Sequence, residues 1–112
     1  MQFFSFFILY IFFTRVGDSP ERILYTFVSL TGQDWQKWKR GSIKELLKPE
    51  LPREGSEQEN KPSLQGEISY IVNQLRDPYV FQDTNGDHYF LYTGGAEQTI
   101  GIVKLKYQPK NE

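Results

Sequence analysis

The chain has 112 residues, 13 of them basic and 14 acidic, with one histidine and no cysteine. That length suits one small domain. The balanced charge, with no basic stripe interleaved with aromatics, excludes an electrostatic footprint for nucleic acid. The lack of cysteine excludes disulfides, thiolate metal sites and a cysteine nucleophile, and it leaves the compartment open, a soluble cytoplasmic one being preferred.

Aromatic residues make up 16% of the chain, and such rings suit broad, half-buried pleated surfaces. The opening stretch MQFFSFFILYIFF ends at Thr14 and Arg15, short of the roughly 20 apolar residues that a spanning helix needs. A positive leader and a small-residue cleavage site are also missing, so a targeting segment is the weaker reading. No membrane partner is expected. Residues 6–14 read as a strand buried on both faces, because the apolar run does not alternate. Residues 15–21, RVGDSPE, form a turn of Gly, Asp, Ser and Pro. A second strand follows at 22–30, RILYTFVSL. After the polar break TGQD, a strand is expected at 35–40, while 43–47 fits either a strand or a short helix. Spaced three apart, Trp35 and Trp38 would face opposite sides of that strand, which makes at least one a packing residue.

Residues 49–67 hold three Pro, two Gly and almost no large apolar group. This is the composition of a mobile loop or of a linker, although neither flank is large enough for an ordinary independent domain. Strands are expected at 77–82, 88–93 and 99–106, followed by a polar, frayed tail. Between the first two of these, DTNGD carries Asn-Gly, the strongest short-range hairpin signal. It lacks the spacing of a calcium loop, so no metal is expected there. His88 starts a strand and has no G-x-S-x-G partner, so a relay is not supported. The chain thus divides into 6–48, a loop at 49–69, and 70–107.

The two flanks echo each other. YIFFTRVGDSPERILYTFVSL and YFLYTGGAEQTIGIVKL each run from an aromatic strand ending in Thr, through a Gly loop ending in Glu, to a second strand ending in Leu. Thr14 corresponds to Thr93, Glu21 to Glu97 and Leu30 to Leu105. Repeated antiparallel units of this kind indicate a propeller or similar array, and two of them cannot close a ring, so each leaves an apolar face needing cover. In a meander, successive turns alternate between the two ends of the sheet. One rim therefore collects Arg15, Asp18, Glu21, Arg22, Arg76, Asp77 and Glu97, a charged set at strand ends suited to facing a ligand. Two carboxylates held about 5–10 Å apart across a glycosidic bond can hydrolyse it. Asp77 with Glu97 or Glu21 is such a pair in principle, and local pairing of Asp77 with its own turn, Arg76 or Arg22 is the plainer alternative.

At LRDPYVF with HYFLYTGGAEQTIGIVKL, and at LYIFFTRVGDSPERILYTFVSL followed by WQKWK, the chain resembles the five-bladed β-propeller glycosidases of the glycoside hydrolase family 43 and 32 group. In that group Arg-Asp-Pro or Asp-Pro opens the innermost strand of a blade beside the central cavity, and a YxxYxGxxE step forms the next strand and loop. The resemblance covers residues 8–49 and 70–106. It implies an all-β fold that is a partial five-bladed propeller of about two adjacent blades, with 8–40 the later strands of one and 77–106 the first three strands of the next. It implies a carbohydrate partner and no cofactor, with Arg76 and Asp77 lining the cavity. The group's catalytic carboxylates sit largely in earlier blades, outside this chain. The expectation is therefore a glycoside hydrolase-like fragment, inactive by itself, with no catalytic residue assigned. The alternative is a non-catalytic carbohydrate-binding or assembly fragment, self-associating or completed by the rest of the propeller.

Overall fold

The computed structural model describes residues 2–5, 8–30 and 34–106. Among them the chain is all-β, with seven strands: β1 (Gln2–Ser5), β2 (Ile8–Phe13), β3 (Ile23–Ser29), β4 (Lys44–Leu47), β5 (Leu75–Gln82), β6 (His88–Gly94) and β7 (Thr99–Leu105). They form two antiparallel sheets, a first in the order β1-β2-β3-β4 and a second in the order β5-β6-β7. Among the described residues no helix is long and apolar enough to cross a membrane.

The hairpins follow from local chemistry. Between β5 and β6 the Asp83 N–H donates to Asp87 O at 2.8 Å, and Gly86 takes φ +90°, a conformation that costs glycine little. The second strand of that hairpin, HYFLYTG, buries alternate residues, so Phe90 and Tyr92 point inward while Tyr89 and Leu91 point outward. The inward faces of the two sheets meet in one core made of Phe12, Ile23, Leu75, Val80, Phe90 and Tyr92. The rings of Phe12 and Phe90 are tilted, with centroids 5.1 Å apart, and they join the sheets at their centre. Burying a side chain such as Phe90, which has no exposed surface, contributes about 2–3 kcal/mol.

Three expectations need correction. Residues 35–40 do not form a strand. Trp35–Lys37 is a 3-10 turn, because the Asp34 carboxylate accepts the Gln36 N–H at 3.1 Å and diverts the backbone from a ladder. Trp35 and Trp38 consequently lie outside the core, 67% and 37% exposed. The fourth strand comes instead at Lys44–Leu47, which settles the 43–47 segment as β. The β2 strand is not buried on both faces, since only Phe12 is fully buried and its neighbours are half-covered. The expected polar tail, residues 107–112, lies outside the described residues, as do residues 6–7 and 31–33.

The segment at 49–67 is docked against both sheets. The buried Glu54 carboxylate accepts the Tyr92 hydroxyl at 2.5 Å and the N–H groups of Glu50 and Leu51 at 3.0 and 3.2 Å. Buried Ser63 accepts from the Gly17 N–H at 2.9 Å, and its own N–H donates to Asp18 O at 3.1 Å. The Thr99 hydroxyl donates to Arg53 O at 3.0 Å. Gly55 has φ +83°, and a Cβ there would overlap the Val72 carbonyl, so only glycine fits. Burial raises the pKa of Glu54, but the Tyr92 hydroxyl and the two backbone donors outweigh it and hold the group below its ordinary value of 4.5. Tyr92 is pushed up to about 12, first by burial and then by its bond to Glu54.

Phe90→Ala should lower stability by about 3–5 kcal/mol, because it leaves a cavity between two sheets that cannot easily close on it; urea midpoints of the two proteins check this. Glu54 titrates lower in the folded chain than in the unfolded one. Its contribution is therefore complete above the unfolded value of 4.5 and disappears as pH falls through the folded one. Tyr92→Phe removes the donor that keeps Glu54 ionised, so thermal stability should begin to fall at a higher pH than in the parent. Melting curves across acidic buffers read this directly, and superimposable profiles would reject it. The raised Tyr92 works in the opposite direction, its share being present below pH 10 and lost as pH approaches about 12.

Candidate functional site

The β2–β3 loop, the start of β5 and the β6–β7 loop come together at one end of the two sheets, as the alternation of turns requires. At their centre is Arg76, the second residue of β5 and almost fully buried. Its Nη1 donates to Gly66 O at 2.7 Å and its Nη2 to Leu64 O at 3.0 Å. Its Nη1 also lies 3.4 Å from Glu97 Oε1, and its Nε 3.5 Å from Glu21 Oε1. One guanidinium therefore collects both sheets and the connecting loop. The planar, five-donor fork of arginine suits it to this, where a lysine ammonium would not be matched in shape.

Each glutamate is held by a second bond. Buried Glu21 accepts the Thr14 hydroxyl through Oε2 at 2.6 Å, and its backbone carbonyl accepts the Leu75 N–H at 2.8 Å. Glu97 Oε2 accepts the Ile68 N–H at 3.0 Å. Asp77 differs from both. It is exposed, accepts the Thr93 hydroxyl at 3.2 Å, and has φ +53°, the left-handed region that a residue other than glycine seldom enters. The β5–β6 register shifts between Arg76 and Tyr79, so Asp77 sits on a bulge that turns it out of the ladder.

These side chains border an open pocket of about 370 Å³, whose walls include Thr14, Glu21, Leu64, Arg76, Asp77 and Glu97. Of the residues expected on the rim, Glu21, Arg76, Asp77 and Glu97 meet there. Arg15 and Asp18 are not among the lining residues and pair with each other at 3.2 Å. Arg22 turns away, donating to Pro20 O at 3.2 Å and meeting Glu45 at 3.1 Å on β4. His88 stands at the opposite end, paired in register with Gln82 and Leu105. Among the described residues no group of His, Asp or Glu is arranged to hold a metal ion. The pocket wall contains three carboxylates against one guanidinium whose terminal nitrogens already donate to Gly66 O, Glu97 and Leu64 O, so it is rich in acceptors for an incoming ligand.

The hydroxyls of Thr14 and Thr93, corresponding residues of the sequence repeat, each hold a rim carboxylate, Glu21 and Asp77 respectively. The carbonyls of Leu64 and Gly66 carried no signal, because any residue supplies a carbonyl and only the path of the loop makes these two converge. The pairing of Glu54 with Tyr92 spans two distant segments and was equally unmarked.

The chain is 46% identical over 98 residues to an uncharacterised protein of Acanthamoeba polyphaga mimivirus; the match takes in 87% of this chain and 27% of that protein. The chain thus spans little more than a quarter of that relative. No family model matches, and no solved structure matches.

Arg76→Ala should cost about 3–5 kcal/mol, since it strands the buried Glu21 charge and two loop carbonyls. Arg76→Lys should recover part of that loss and Arg76→Gln less. Urea unfolding of the three variants tests the order, and an Ala variant within 1 kcal/mol of the parent would contradict the hub role.

Proposed function

We propose that this chain is a portion of a glycosidase-like, five-bladed β-propeller protein that acts on oligosaccharides, and that its own part is to contact the carbohydrate at the rim. The observation that carries this reading is the placement of Asp77: an exposed carboxylate in a left-handed conformation, at the entry of a strand, bordering an open polar pocket. Backbone strain of that kind is kept where a side chain must be presented in one direction. A neutral sugar offers hydroxyl donors to carboxylates and little net charge, which suits a wall rich in acceptors. Both sheets, the two matching Thr–Glu steps and the Arg-Asp-Pro entry also support a propeller array, and the greater length of the mimivirus relative leaves room for further blades.

Turnover by this chain alone is not expected. Glycoside hydrolysis needs one carboxylic acid and one carboxylate, each free to reach the substrate. Glu21 and Glu97 are both committed to Arg76, which leaves Asp77 without a second free carboxylate among the described residues lining the pocket.

The test is thermal stability measured with arabino- and xylo-oligosaccharides, alongside hydrolysis of aryl glycosides. The expected result is a sugar-dependent rise in melting temperature, lost in Asp77→Asn, with no turnover by either protein. Asn tolerates the left-handed backbone as Asp does, so that variant removes the charge while keeping the bulge. No shift with any sugar would reject carbohydrate binding, and turnover abolished by the same substitution would assign catalysis to the chain itself.

A further inference from the structure

Trp35 and Trp38 lie in the connection from β3 to β4, at the end of the first sheet opposite the pocket. They are the only tryptophans of the chain, and both are exposed. A large ring left in water forgoes about 2 kcal/mol of burial, yet the turn that carries them is firmly held. The Asp34 carboxylate caps it, and the Trp38 N–H donates to Trp35 O at 3.1 Å. Behind it, the Gly41 N–H donates to Phe27 O at 2.7 Å, and the Thr26 hydroxyl lies 3.1 Å from the carbonyls of Gly41 and Ser42. Gly41 sits so close to the Phe27 ring that a Cβ there would overlap it. In a 3-10 turn, side chains three residues apart eclipse. The two indoles therefore rise from one side of the turn, roughly 6 Å apart along its axis.

Cations surround this pair. Lys37, Lys39, Arg40 and Lys44 are all exposed, and none of them forms an ion pair among the described residues. The one acid between positions 34 and 44, Asp34, already accepts the Gln36 N–H. The whole chain carries a net charge of −1, so this positive charge is local. It stands at the far end from the carboxylates of the rim.

We propose that the Trp35–Lys44 segment binds an acidic oligosaccharide, a chain of pyranose rings bearing carboxylates, at a site separate from the rim pocket. The two indoles cover the apolar C–H faces of successive rings, and the four cations meet the carboxylates at the ring edges. Because the turn is already ordered, little conformational freedom is lost on binding. Two other polyanions suit the site less well. The cluster is one turn long, too small for the groove with which a single-strand binder tracks a nucleic-acid backbone. A flat anionic lipid surface that reached the turn would also meet the acidic Asp83–Asp87 hairpin, which closes the same end of the second sheet. This inference does not rest on the rim reading.

The chain has no other tryptophan, so its indole emission reports this site alone. Titration with oligogalacturonate should change that emission saturably, and added salt should weaken the binding. The same oligosaccharide fully methyl-esterified keeps the rings and loses the charge, and it should bind about tenfold more weakly or worse. Trp35→Ala, read through the remaining Trp38, should cost about tenfold in affinity, the size of one lost aromatic contact. Its melting temperature should match that of the parent, since Trp35 lies outside the core. Lys37→Gln combined with Lys39→Gln should also weaken binding and flatten its salt dependence. Asp77→Asn, at the other end of the molecule, should leave oligogalacturonate affinity unchanged. No binding by emission and by calorimetry alike overturns the proposal, as does an affinity that Trp35→Ala leaves intact. Tighter binding of oligothymidylate or of phosphatidylserine vesicles overturns it too, because the turn then serves a nucleic acid or a lipid surface. Loss of oligogalacturonate binding in Asp77→Asn also overturns it, since the acidic sugar then sits at the rim. Stabilisation by neutral sugars that depends on Asp77 and not on Trp35 concerns the rim reading alone, so the two readings fail separately.

Discussion

The arrangement of the charged rim depends on keeping one guanidinium dry. Arg76 carries a positive charge into a place with little solvent, where such a charge must be paired. Opposite charge and hydrogen-bond acceptors come from three separate parts of the chain: Glu21 before β3 pairs with Nε by charge at 3.5 Å, while Glu97 before β7 and the carbonyls of Leu64 and Gly66 on the connecting segment accept hydrogen bonds from the terminal nitrogens. The electrostatic requirement of a single side chain thereby sets how two sheets and a loop meet, while the phenyl contact of Phe12 and Phe90 sets how far apart they stand. Apolar packing is indifferent to small slides, and a forked, directional cation is not.

The same economy explains why the connecting segment is ordered. Its composition, poor in apolar groups, gives it little to bury. It is fastened instead at points: the Glu54 carboxylate under Tyr92, the Ser63 hydroxyl under Gly17, and the bare Cα of Gly55 against Val72. Each point is a hydrogen bond or a close approach made by one residue. A segment held in this way crosses between the sheets without needing a strand or a helix of its own.

This difference also separates what could be read in the residues from what could not. Strands β2, β3, β5, β6 and β7 announce themselves as β-branched and aromatic runs bounded by Gly, Pro and Asn-Gly, because each run must cover a pleated surface and each break must turn. The meeting of Glu21, Arg76, Asp77 and Glu97 at one rim was legible too, since alternation of turns and the repeated Thr–Glu step place them at one end regardless of detail. The 3-10 turn at Trp35 was not, because an Asp cap of one residue outweighed a plausible strand pattern. Nor was the docking of Glu54 onto Tyr92, a contact between residues 38 apart in the chain. Arg22 shared the rim's sequence neighbourhood but pairs with Glu45 on β4, which only the course of the fourth strand determines.

Asp77 stands immediately before Pro78, where the proline ring disfavours helical backbone in the preceding residue. Its positive φ is a departure from that preference as well as from the general preference of residues with a Cβ. The dipeptide can persist only while the register shift between Arg76 and Tyr79 and the hydroxyl of Thr93 enforce it. The carboxylate is thus aimed by stored conformational tension and not by a snug pocket. The orientation of Asp77 is therefore tied to the register of β5 against β6, since the Thr93 hydroxyl and the shift between Arg76 and Tyr79 both belong to that pairing.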